Sequence, residues 1–163
     1  MAATTSHARA LAALIIGVGA AGCGFGPVEV APHEPEDGTE QVCADFVAST
    51  PEVLADAVRR EVSPPSSTTA AWGQPPIVLR CGVPAPVSTD PTTGVLVLDD
   101  IGWLPVAGDA GTFFTTVDRV AAVEVAVPDD YAPESDVLLD LTPAIEARLP
   151  PADAAVNEGR ADG

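Results

Sequence analysis

With 24 acidic residues against 7 basic ones, this 163-residue chain carries a formal net charge of −17. Such a charge repels phosphate backbones and anionic headgroups, which excludes nucleic acid as a partner. All the basic residues are arginine, and the length suits one small domain whose acidity otherwise serves solubility.

The N-terminus reads as a targeting segment over residues 1–22. Arg9 and the amino group make a weak positive region, and Ala10 to Ala21 form an apolar run. That run is too short for a retained spanning helix, since a bilayer core needs about 20 apolar residues. Ala20-Ala21-Gly22-Cys23 closes it and resembles a bacterial lipobox, with alanine at the position where leucine is commonest. The resemblance implies cleavage before Cys23 and lipidation of its thiol. More than one acyl chain on a residue gives stable anchoring. An ordinary secretory signal is the alternative.

The chain holds three cysteines, an odd count that asks for an explanation in an exported protein. With Cys23 given to lipid, Cys43 and Cys81 remain as a pair in an oxidising compartment and are expected to form a disulfide. Chain entropy predicts roughly 4 kcal/mol from closing that loop, a large share of a small domain's ~5–15 kcal/mol. Two reactive thiols would fit poorly with Cys81 on a core face, and a metal site from this pair would lack ligands.

Residues 23–38 (from Cys23 through GFGPVEVAPHEPEDG) have no usable periodicity and read as an extended, mobile tether. Its reach would be up to about 50 Å. A single domain is expected over residues 39–150. Thr39 to Ala48 reads as a helix capped by Thr39, with Val42, Cys43, Phe46 and Val47 on one face. Thr50-Pro51 reads as a second helix start, with Val53, Leu54, Ala57 and Val58 inward. Arg59 and Arg60 then match that helix's C-terminal dipole, or form an anion or partner site. Ser63 to Ala71 reads as a loop.

Trp72-Gly73-Gln74-Pro75-Pro76-Ile77-Val78-Leu79-Arg80-Cys81-Gly82-Val83 is the most constrained stretch. The prolines suit a strand entrance. Alternation then points Ile77, Leu79, Cys81 and Val83 to the core and Val78, Arg80 and Gly82 outward. Further strands are expected at Val95–Leu98, Trp103–Val106, Thr112–Val117 and Val120–Val127. Turns fall at Asp99–Gly102, Asp118-Arg119 and Pro128-Asp129-Asp130. Val137 to Leu141 fits helix or strand. Thr142-Pro143 starts a short helix over Ala144 to Leu149, stopped by Pro150-Pro151. Residues 151–163 read as a disordered tail. The sum is an α+β domain, with a mostly antiparallel sheet of about four or five strands and the N-terminal helices and short C-terminal helix packed on one face.

The run W-G-x-P-P-I-V-L-R-C-G-V, the upstream cysteine helix, D-D-I-G-W-L, and T-T-V-D-R followed by a V-E-V-A-V-P strand resemble an uncharacterised family of actinobacterial exported proteins and lipoproteins. This is a domain-of-unknown-function family. The resemblance spans roughly Cys43 to Leu149, with Val117 where an aromatic is expected. It implies an envelope location and no particular activity.

Residues 39–150 contain no histidine and no lysine; His33 lies in the expected tether and His7 in the signal segment. That removes the commonest general base, the Ser–His and Cys–His arrangements and histidine metal sites. No phosphate loop or hydrolase motif is present. Asp99-Asp100 and Asp129-Asp130 fit turn chemistry and lack Ca²⁺-loop spacing. Arg80 can pair with Glu124 across the sheet, or serve with Trp72, Trp103 and Arg119 as a binding surface, because arginine beside aromatics is the usual make-up of an interface hot spot. Trp72 fits equally as a plug on the core edge.

The expectation is a non-enzymatic, lipid-anchored binding module on the extracytoplasmic face of the cell membrane. It would need no cofactor or metal, and its partner would be an envelope protein or cell-wall component. The alternatives are a carboxylate-dependent envelope hydrolase, with two carboxyl groups roughly 5–10 Å apart, and a small-ligand-binding lipoprotein with an enclosed pocket.

Overall fold

The computed structural model describes residues 26–86 and 94–153. The expected signal segment, Cys23 and the expected tail beyond residue 153 lie outside the described residues. The architecture of the described residues is mixed α+β: one antiparallel sheet of eight strands, a separate two-stranded pairing and two α-helices.

Among the described residues ten strands occur in chain order: β1 Val28–Glu29, β2 Val53–Leu54, β3 Ala57–Arg60, β4 Val62–Ser63, β5 Thr69–Trp72, β6 Ile77–Val83, β7 Leu96–Leu98, β8 Ile101–Ala107, β9 Gly111–Thr116 and β10 Ala122–Pro128. The helices are α1, Glu40–Ser49, and α2, Ser135–Arg148. The large sheet runs in the order β2-β3-β5-β6-β10-β9-β8-β7. After β6 the chain crosses to the far edge and returns as the β7-β8-β9-β10 meander, which brings β10 beside β6.

The period-two pattern sets which face is buried. Ile77, Leu79 and Cys81 of β6 and Val123, Val125 and Val127 of β10 point to the helices and are buried. Against them pack Cys43, Phe46 and Val47 of α1 and Val137, Leu138, Leu141 and Ile145 of α2. The i, i+3, i+4 spacing in each helix aligns those side chains on one stripe. A disulfide joins Cys43 to Cys81 across 38 residues and fastens α1 to the centre of the sheet.

Several expectations are corrected. Residues 50–60 form no helix and instead add two strands to the sheet. Val53–Leu54 and Ala57–Arg60 are a hairpin, Val53 opposite Val58, turning at Ala55 and Asp56 with φ of 46° and 63°. Asp140 of α2 accepts a hydrogen bond from the Ala55 amide at 2.9 Å and ties that turn down. Thr69–Trp72, read as the end of a loop and the start of the motif, is a strand. Ser135–Arg148 is one helix with Pro143 inside it. The Thr142 hydroxyl donates back to the Leu138 carbonyl, so Thr142 does not cap a new helix. Thr39 flanks α1, yet its hydroxyl donates to the Glu36 carbonyl at 2.6 Å rather than capping the helix.

Val83 is also corrected. Gly82, at φ 82°, inserts a bulge: Cys81 pairs with Val123 while Val83 pairs with Ala122. The extra residue reverses the alternation, and Val83 lines the same groove as Arg80.

Residues 26–38 are laid on the domain, which corrects the reading of a free tether there. Val28 pairs with Val62 in parallel, the Glu36 amide donates to the Gly82 carbonyl at 2.8 Å, and His33 Nε2 donates to the Cys81 carbonyl at 2.9 Å. A Cβ on Gly82 would stand 2.7 Å from Pro35 Cβ, so the close crossing of this strap requires glycine. Its contacts are largely main chain, which leaves no periodic signal in the sequence.

Candidate functional site

The face of the sheet turned away from the helices carries two parallel cross-strand rows. The first runs Thr69, Arg80, Glu124, Thr115, Leu104. Arg80 Nη2 donates to Glu124 Oε1 at 2.7 Å, the ion pair expected from the alternation of β6 and β10. Both side chains are part-exposed, so the pair registers the strands more than it stabilises them.

The second row runs Val78, Ala126, Phe113, Val106 across β6, β10, β9 and β8. Phe113 is 36% exposed and Val106 is 54% exposed. An apolar row on four adjacent strands with no helix over it is the kind of surface that marks an interaction site. The strap and residues 83–86 wall its edge and leave a groove of about 450 Å³, with His33, Arg80, Glu124 and Leu104 among its lining. His33 therefore belongs to the folded part of the chain. The folded domain thus does hold a histidine, which the strap brings to the sheet.

The tryptophans do not join Arg80. Trp72 and Trp103 are both 0% exposed and lie on the helix side of the sheet. Trp72 pairs with Ile77 across the four-residue turn, and a cross-strand partner shares its face. Its indole N–H donates to the Pro51 carbonyl at 2.8 Å, and Arg59 lies over its ring. The Trp103 indole N–H meets no acceptor among the described residues. Arg119 is elsewhere again: it donates to the carbonyls of Leu149 and Asp100, tying the end of α2 to the β7–β8 turn.

Arg59 caps a helix, though a different one from that expected. It donates to the carbonyls of Val47 and Thr50 and to the Thr50 hydroxyl, at the C-terminus of α1. Arg60 donates to the Gly73 carbonyl, the Gln74 amide oxygen and the Gly26 carbonyl. It lines a groove of about 840 Å³ between the β2–β3 hairpin and the turn from β5 to β6. The sequence gives no sign of this groove because the residues of the hairpin that walls it fit a helical stripe equally well. Tyr131 closes one side and donates to the Pro75 carbonyl at 2.9 Å. A Cβ on Gly73, at φ 71°, would overlap the Tyr131 hydroxyl.

Asp99 and Asp100 form the two-residue turn of the β7–β8 hairpin at φ 45° and 60°, a geometry that aspartate tolerates. Asp129 and Asp130 open a single 3-10 turn, Asp129–Tyr131. Among the described residues no three His, Cys, Asp or Glu side chains gather to hold a metal ion. No helix among them is long and apolar enough to cross a membrane.

The fold and its faces define an α+β domain with one helix-covered sheet face and a second face on which Thr69, Leu104 and Thr115 are buried while Phe113 and Val106 are exposed. The chain belongs to the family described as Protein of unknown function (DUF3515), whose model matches residues 7–154. No curated protein and no solved structure matches it.

Proposed function

We propose that this chain is a lipid-anchored envelope protein that binds a partner protein or cell-wall component outside the cytoplasmic membrane, without catalysing a reaction. The observation that carries this reading is the apolar row Val78, Ala126, Phe113, Val106 on the open sheet face, bordered by the Arg80–Glu124 pair. It replaces the tryptophans, which are buried, as the expected contact surface. The Cys43–Cys81 disulfide supports export, since such bonds persist in oxidising compartments.

Lipid on Cys23 would hold the domain close to the bilayer. β1 begins at Val28, and the intervening chain can extend at most about 18 Å at ~3.6 Å per residue. That is far less than the reach of a free tether.

Two measurements test the reading. Mass spectrometry of the mature N-terminus should find a diacylglyceryl-modified Cys23; an unmodified N-terminus would remove the anchor. Pull-downs from envelope extracts should lose specific partners when Val106 and Phe113 are both changed to serine. An unchanged partner set would remove the sheet face from the account.

A further inference from the structure

We propose that the groove between the β2–β3 hairpin and the β5–β6 turn is a second binding site, which takes a polypeptide segment bearing a basic side chain next to an apolar one. Nothing in this depends on the lipid or on the Arg80 face.

The size fits. A cleft of about 840 Å³ falls within the usual range for ligand sites. Its apolar walls include Pro27, Val58 and Tyr131. Val58 is 64% exposed, and its cross-strand neighbour Val53 is also exposed. The apolar surface thus runs out of the groove along the hairpin, which suits an extended segment better than a compact small molecule.

The charge fits too. Asp56, Glu61 and Asp130 also line the groove and are exposed. Two arginines line it as well: the Arg59 guanidinium is turned to the end of α1 and the Arg60 guanidinium is held against the Gly73, Gln74 and Gly26 oxygens, so the three carboxylates outnumber the cations. The groove therefore presents carboxylates above apolar walls. A lysine or arginine is complementary to both: its aliphatic stem lies on Val58 while its charged head reaches the carboxylates. The net charge of −17 would steer such a segment in and turn anionic ligands away.

The test titrates the full chain in detergent with a blocked peptide of alternating lysine and leucine, followed by fluorescence anisotropy. Two variants carry the same change in charge. One neutralises the groove (Asp56→Asn, Glu61→Gln, Asp130→Asn); asparagine tolerates the positive φ at position 56. The other neutralises three exposed residues elsewhere (Asp37→Asn, Asp109→Asn, Glu146→Gln). The groove variant should bind about tenfold more weakly and the control within about twofold of wild type. A peptide with glutamate in place of lysine should not bind. Amide shifts in the wild-type chain should concentrate at residues 55–61 and 73–74. Equal weakening in both variants, absence of saturable binding, or shifts centred on Phe113 would each overturn the proposal.

Discussion

The guanidinium carbon of Arg59 lies 5.2 Å from the centroid of the Trp72 ring. The same guanidinium donates to the Thr50 hydroxyl at 2.5 Å and to the Val47 carbonyl at 3.2 Å. One side chain thereby ties the end of α1, the β3 strand and the buried tryptophan together. Arg59→Met keeps the stem and removes these bonds. It should cost about 2–3 kcal/mol, read as a lower urea midpoint with an unchanged slope. A loss under about 0.5 kcal/mol would mean that α1 terminates without this cap.

The disulfide gives a second prediction. Cys43 and Cys81 are fully buried, so reductant reaches them only through opening of the core. The Cys43→Ala, Cys81→Ala variant should lose about 2–5 kcal/mol. Adding reductant to wild type should lower its melting temperature toward that of the variant. A melting temperature insensitive to both would show that α1 is held on the sheet by packing alone.

Gly82 controls the strap. Alanine there would have to adopt φ 82° and would meet Pro35 and the Thr39 hydroxyl at 2.7 and 2.8 Å. Gly82→Ala should cost about 2–3 kcal/mol. Hydrogen exchange should accelerate at Val28, Val30 and Glu36, whose amides bond to Glu61, Ser63 and Gly82. Unchanged protection there would show that the strap is held independently of the bulge.

The Arg80–Glu124 pair should matter little to stability. Both groups are part-exposed, and such pairs contribute about 0–1 kcal/mol. Glu124→Gln should shift the unfolding free energy by less than about 1 kcal/mol. A larger loss would mean the pair is a structural staple and not part of an accessible surface.

The legible parts of the fold are those where local pattern and tertiary environment agree. β6 and β10 alternate because one face is buried, and Arg80 opposite Glu124 follows from that register. Cys81 on the core side follows from the same alternation, and with it the pairing to Cys43. Residues 50–60 are ambiguous in the sequence because Val53, Leu54, Ala57 and Val58 suit a helical stripe as well as a two-strand hairpin. Their turn at Ala55-Asp56 lacks the glycine or asparagine that signals one; the bond from Asp140 supplies what the local sequence does not. Pro143 looked like a helix start, yet packing of Leu138, Leu141 and Ile145 carries α2 through it. The strap was invisible because backbone pairing imposes little on side-chain order. The site suffered most from these misses: the tryptophans lie on the opposite face from Arg80, and the larger groove exists only once the hairpin does.

A photoreactive side chain tests the open face most directly. Placed at Phe113 in living cells, it should capture a discrete partner species. The same group at Leu139, an exposed position on α2, should capture none. No product at Phe113, or the same products at both positions, would contradict the claim that the uncovered side of this sheet is where the protein meets its partner.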